Sequence, residues 1–118
     1  MALTSLRLAL GIAAVVLGIA AVVLGGPALA EDLPVIKVEM RDGVIIPDVI
    51  EVPANTRFKL EITNTGKSPV EFESTELKRE KALAAGATSA IVFRTIDPGR
   101  YDVFDDFHPE AKATLVAK

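Results

Sequence analysis

Two carboxylates and the chain's only imidazole stand within four residues of one another, at Asp105, Asp106 and His108. The chain has no cysteine, so any metal must be held by oxygen, nitrogen or a methionine sulfur. A carboxylate and imidazole set suits Fe(II), Fe(III), Mn(II), Zn(II) or Cu(II) better than Cu(I), which prefers softer donors. Alternation along the preceding residues gives directions. If Tyr101 and Val103 face the interior, Asp105 faces it too, and Phe104 and Asp106 face outward. An inward carboxylate needs a cation, a lysine or a capped loop, because an unpaired buried charge is strongly unfavourable.

Glu71 and Glu73 are further oxygen donors. They alternate with Val70 and Phe72, so a regular strand points both carboxylates to solvent, where they form either a ligand pair or a solvated face. Glu80 lies in a charged segment and reads as solvent-exposed. Met40, the only methionine after residue 1, reads as apolar packing at a strand end, with a thioether approach to Cu(I) as the alternative. Asp42, Asp48 and Asp97 read as turn residues, and Tyr101 as a core aromatic.

These side chains have to be positioned by strands. From Val35 onward the apolar period is mostly two. Strands are predicted at Val35–Met40, Val49–Val52, Phe58–Thr63, Val70–Glu73, Ser89–Thr95, Arg100–Phe104 and Ala113–Ala117. Phe58-Lys59-Leu60-Glu61-Ile62-Thr63 alternates most cleanly, and Asn64-Thr65-Gly66 and Asp97-Pro98-Gly99 mark turns. Thr75–Lys81 predicts one or two helical turns with Ser74 as N-cap. Seven short strands separated by turn residues predict an antiparallel β-sandwich.

The chain's 118 residues suffice for one ordinary domain. Leu8 to Leu24 is an unbroken run of Leu, Ala, Ile, Val and Gly, followed by Gly25-Gly26-Pro27 and the small-residue segment Ala28-Leu29-Ala30. This pattern predicts a hydrophobic signal helix within a signal peptide, residues 1–30, cleaved before Glu31 and leaving a domain at 31–118. Membrane anchoring by residues 8–24 is the alternative. Arg7 is the only basic residue before Glu31, so the remainder carries 12 basic against 16 acidic groups. That balance, without basic clusters, argues against nucleic acid as a partner. There is no Gly-x-Ser-x-Gly elbow and no cysteine nucleophile, so an enzyme is the least favoured class, with oxidation of ferrous iron at a bound metal as the open exception.

Taken in order, Ile46-Pro47, Ile50-Glu51-Val52-Pro53-Ala54, Phe58-Lys59-Leu60 running into Asn64, Glu71-Phe72-Glu73-Ser74, Glu80-Lys81, Pro98-Gly99-Arg100-Tyr101 and Asp106-Phe107-His108-Pro109 resemble the cupredoxin-like proteins. Within that family they look like the cupredoxin domain of EfeO-type periplasmic iron-uptake proteins. The resemblance implies a Greek-key antiparallel sandwich with a metal site at one end. In its blue-copper members the last histidine ligand corresponds to His108, the cysteine to Asp105, the methionine to Ala113, and the first histidine to Val70 or Glu71. A blue-copper site is thereby excluded, since it needs a thiolate. The EfeO-type pattern assigns a carboxylate ligand to Glu71 and its final-strand cysteine ligand to Asp105, and its early cysteine ligand corresponds to Ile45, so that part of the pattern is missing from this chain. The resemblance thus implies an iron or copper ion held among Glu71, Glu73, Asp105, Asp106 and His108, in a periplasmic accessory of iron uptake that serves an inner-membrane permease. A copper-binding or copper-delivery protein of the same fold and a metal-free interaction module are the alternatives. A homodimer formed through sheet edges stays open.

Overall fold

The computed structural model describes residues 32–118, so the expected signal peptide lies outside the described residues. Among those described, the chain forms nine strands and no α-helix: β1 (Val35–Arg41), β2 (Val44–Ile46), β3 (Val49–Val52), β4 (Phe58–Asn64), β5 (Val70–Ser74), β6 (Arg79–Leu83), β7 (Thr88–Phe93), β8 (Gly99–Asp105) and β9 (His108–Ala117). No helix among them is long and apolar enough to cross a membrane. They build two sheets, ordered β2-β1-β4-β7 and β3-β9-β8-β5-β6.

Period-two burial makes the sandwich. In β4, Phe58, Leu60, Ile62 and Asn64 are buried, and the residues between them are half-buried. Val70, Phe72 and Ser74 of β5 and Val103 and Asp105 of β8 are buried from the other sheet. Phe58 and Phe93 are cross-strand partners whose rings stack with centroids 4.8 Å apart. Each such fully buried aromatic ring contributes roughly 2–3 kcal/mol through the area it removes from water.

Three expectations need correction. The sandwich is not wholly antiparallel: β1 pairs with β4, and β3 with β9, in parallel. Asp42 and Gly43 have positive φ of 34° and 91° and close a tight hairpin that pairs Arg41 with Val44, which adds β2. An Asp-Gly pair suits this turn because both central residues need a left-handed backbone. Finally, Thr75–Lys81 is not helical. Ser74 Oγ does accept the Leu77 N–H at 3.4 Å, as an N-cap would, but Lys78 takes a φ of 56°. The chain then reverses into β6, with Ser74 opposite Arg79.

Candidate metal centre

The five residues singled out in the sequence converge on one corner of the second sheet, where β5 meets the β8–β9 turn. They divide between its two faces. Asp105 faces the interior and is fully buried, and His108, the first residue of β9, is half-buried beside it. Glu71, Glu73 and Asp106 face outward, and their carboxylate oxygens lie within 4.8 Å of one another. A register shift between Phe104 and Asp105 lets β8 turn into β9 through Asp106 and Phe107, with Asp105 opposite His108. Successive residues therefore carry carboxylates to opposite sides of the sheet.

The inner pair makes direct contact. His108 Nδ1 lies 2.9 Å from Asp105 Oδ2. Asp105 Oδ1 accepts the backbone N–H of Glu71 at 2.9 Å and that of Phe107 at 3.0 Å. Of the three partners proposed for an inward carboxylate, the structure supplies the capped loop. The other ring nitrogen of His108, Nε2, lies 3.3 Å from Ser68 Oγ, and Ser68 Oγ is 3.0 Å from Asp42 Oδ1. Lys67 N–H donates to the same Asp42 oxygen. The Ser68 hydroxyl above all, with the Lys67 amide, holds the Asp42 carboxyl below its ordinary range. Gly66 permits this approach, since a Cβ there would lie 2.8 Å from the Asp42 oxygens. Asp42 and Ser68 were missed as members of this chain of contacts. Only the Asp-Gly turn signal pointed to Asp42, and it gave no reason to place that residue beside the loop after β4.

The same loop is held by Asn64, also fully buried. Its Nδ2 donates to the carbonyls of Ser68 and Leu83, and its Oδ1 accepts the Gly66 N–H. Met40, opposite Asn64 in the register, is completely buried within the core.

The outer trio is electrostatically loaded. Glu71 is pushed above its ordinary value, first by desolvation, then by the side-chain hydrogen bond with Asp106 and by the charges of Glu80, Asp106 and Glu73. Glu73 is raised by desolvation first, then by Asp106 and Glu80. Glu80, directly opposite Glu73 on β6, thus adds field to this corner, and it sits on a strand instead of in a helical turn. A divalent cation would relieve all of these repulsions. Oxygen donors alone suit harder ions such as Mn(II) and iron.

A scan against protein-family models matches residues 13–117 to the cupredoxin-like domain. The chain belongs to that family. An uncharacterized protein of Rickettsia prowazekii (strain Madrid E) is 35% identical over 75 residues, which are 64% of this chain and 60% of that protein. The chain therefore spans less than two thirds of that relative's length. Among solved structures, the metal-binding domain of the Streptococcus pneumoniae D39 Cu(I)-exporting P-type ATPase CopA, with Cu(I), superposes with a TM-score of 0.65 at 13% identity, covering 76% of this chain and 90% of that one. Auracyanin A, a "blue" copper protein of Chloroflexus aurantiacus, gives 0.61 at 12% identity, covering 74% and 100%. Amicyanin from Paracoccus versutus gives 0.56 at 14%, covering 76% and 85%. At these identities the likeness is one of fold.

Thiolate copper does not fit this chain. Without cysteine there is no thiolate, position 105 is a carboxylate with both oxygens engaged, and position 113 is a buried alanine. The outer carboxylates do fit a hard divalent ion.

Proposed function

We propose that this protein is a metal-binding cupredoxin-like protein that takes a hard or borderline cation, iron foremost, on carboxylate oxygen. In this reading it is an accessory of iron uptake in the periplasm, exported by a cleaved signal peptide, and it passes its ion towards an inner-membrane permease. It acts as a binder and not as an enzyme or a blue-copper electron carrier. The observation that carries the metal reading is the convergence of Glu71, Glu73 and Asp106 to within 4.8 Å. Membership of the cupredoxin-like family, and likeness of fold to a Cu(I)-bound metal-binding domain, lend it support. The iron assignment and the location rest on the resemblance to EfeO-type domains and on the pattern of residues 1–30.

The test is calorimetric titration of the purified protein with Fe(II), Mn(II), Zn(II) and Cu(II), alongside the triple variant Glu71→Gln, Glu73→Gln, Asp106→Asn. Iron or Mn(II) binding that disappears in the variant is the expected result. Unchanged affinity in the variant, or no binding by the native protein, overturns the reading. Oxygen consumption with Fe(II) tests for oxidase activity, and cell fractionation tests the location.

A second reading is a metal-free interaction module, favoured by the direct Asp105–His108 contact. There the two residues aligned with copper ligands satisfy each other without an ion. Copper delivery has less support, because Met40, the one thioether among the described residues, is fully buried.

A further inference from the structure

We infer that Asp105 is a positioning residue for the outer carboxylates: it sets Glu71 and Asp106 at binding distance from beneath the sheet and does not touch the ion. This rests on the metal reading above. Asp105 Oδ1 takes the N–H of Glu71 on β5 and the N–H of Phe107 in the β8–β9 turn. One buried oxygen atom thus ties together the two segments that carry the ligands. The outer edge of the same junction is closed by the Asp106 N–H donating to the Glu71 carbonyl at 2.9 Å. Glu71 is therefore gripped at its amide by Asp105 and at its carbonyl by Asp106.

Three carboxylates with oxygens within 4.8 Å of one another repel and would otherwise move apart whenever no cation is present. The grip keeps them together, so the ion finds its oxygens already assembled. Asp105 Oδ2 is held in turn by His108, which fixes the carboxylate plane so that Oδ1 meets both amides. Asp105 is buried on the opposite face from the trio and its two oxygens are engaged by Glu71, Phe107 and His108, so it is not directed at the outer ion.

Conservative replacement separates positioning from ligation. Asparagine keeps an oxygen for the two amides and presents N–H to His108 Nδ1, but it is a poor metal ligand. With Mn(II) as the probe, Asp105→Asn is expected to bind within about threefold of the native protein, whereas Asp105→Ala, measured within its native baseline, loses about tenfold or more, the usual scale for losing a group that orients ligands. The Glu71 and Phe107 amide proton resonances are expected to shift in Asp105→Ala and to stay near their native positions in Asp105→Asn. Pulsed EPR of the bound Mn(II) is expected to show no directly coordinated nitrogen.

Loss of binding in Asp105→Asn as severe as removal of the trio overturns the inference while leaving the metal reading standing, and so does a nitrogen coupling from His108. Retained binding in the triple carboxylate variant sinks both. If Asp105→Ala does not fold, the asparagine arm and the EPR signal still decide.

Discussion

Replacing Asp105 by alanine is the perturbation whose effect on stability follows most directly from the contacts. The native carboxylate is fully buried and accepts from two backbone amides and from His108. Truncation leaves the Glu71 and Phe107 N–H groups without partners beneath the sheet. Each stranded buried donor costs about 1–2 kcal/mol, and the hydrogen bond to the carboxylate from His108 adds about 1 kcal/mol, for a sum near 4 kcal/mol. A domain of this size has a total stability of roughly 5–10 kcal/mol, so the variant sits close to the edge of folding. Converted at about 4–8 °C per kcal/mol, its Tm falls by roughly 15–30 °C. Asp105→Asn retains an acceptor for both amides and is expected to lose no more than about 1 kcal/mol. Urea titration followed by circular dichroism measures both, with an unchanged m value showing that the denatured state is not the source. An alanine variant within about 1 kcal/mol of native, or an asparagine variant as weak as alanine, would refute the account of Asp105 as a clip.

Three further outcomes follow from other parts of the molecule. Because Glu71 and Glu73 are raised above the ordinary 4.5, the metal-free native state binds protons that the unfolded chain releases. Stability should therefore fall as pH rises through their raised range, and Glu71→Gln with Glu73→Gln should flatten that dependence in thermal melts across the acid range. Asn64→Asp removes both Nδ2 donations and turns a carboxylate towards two carbonyls; it is expected to cost about 2–3 kcal/mol, and a neutral outcome in urea would show that the loop after β4 is held by other means. Val70 is the fully buried inward residue beside Glu71, whose amide grips position 105. Asp105→Cys with Val70→His is therefore expected to gain the intense visible absorption of a Cu(II)-thiolate centre, and a folded, colourless double variant in Cu(II) would deny that this corner is where copper could lodge.

The alternation of Phe58, Leu60 and Ile62, and the inward turn of Asp105 behind Val103, were legible because one face of each strand is buried and the other is not. The β5–β6 hairpin was hidden for the opposite reason. Arg79 to Leu83 is an edge strand with only Leu83 buried, so its charges carry no period, and the local turn around Ser74 imitates a helix start. The parallel pairing of β1 with β4 and of β3 with β9 joins segments far apart in the chain, which local pattern does not encode. At the site, strand parity gave each carboxylate its direction, yet the five candidates had been gathered into one cluster. Only the register of β5 against β8 shows that three of them share the outer face while two meet inside.

The position of β9 has a consequence for biogenesis. It lies between β3 and β8 in its sheet, although it is made after both of them. A growing polypeptide that has not yet emerged through residue 117 has nothing to stitch those two strands together. Closure of this sheet therefore waits for β9, and β3 is the strand that is tied in last.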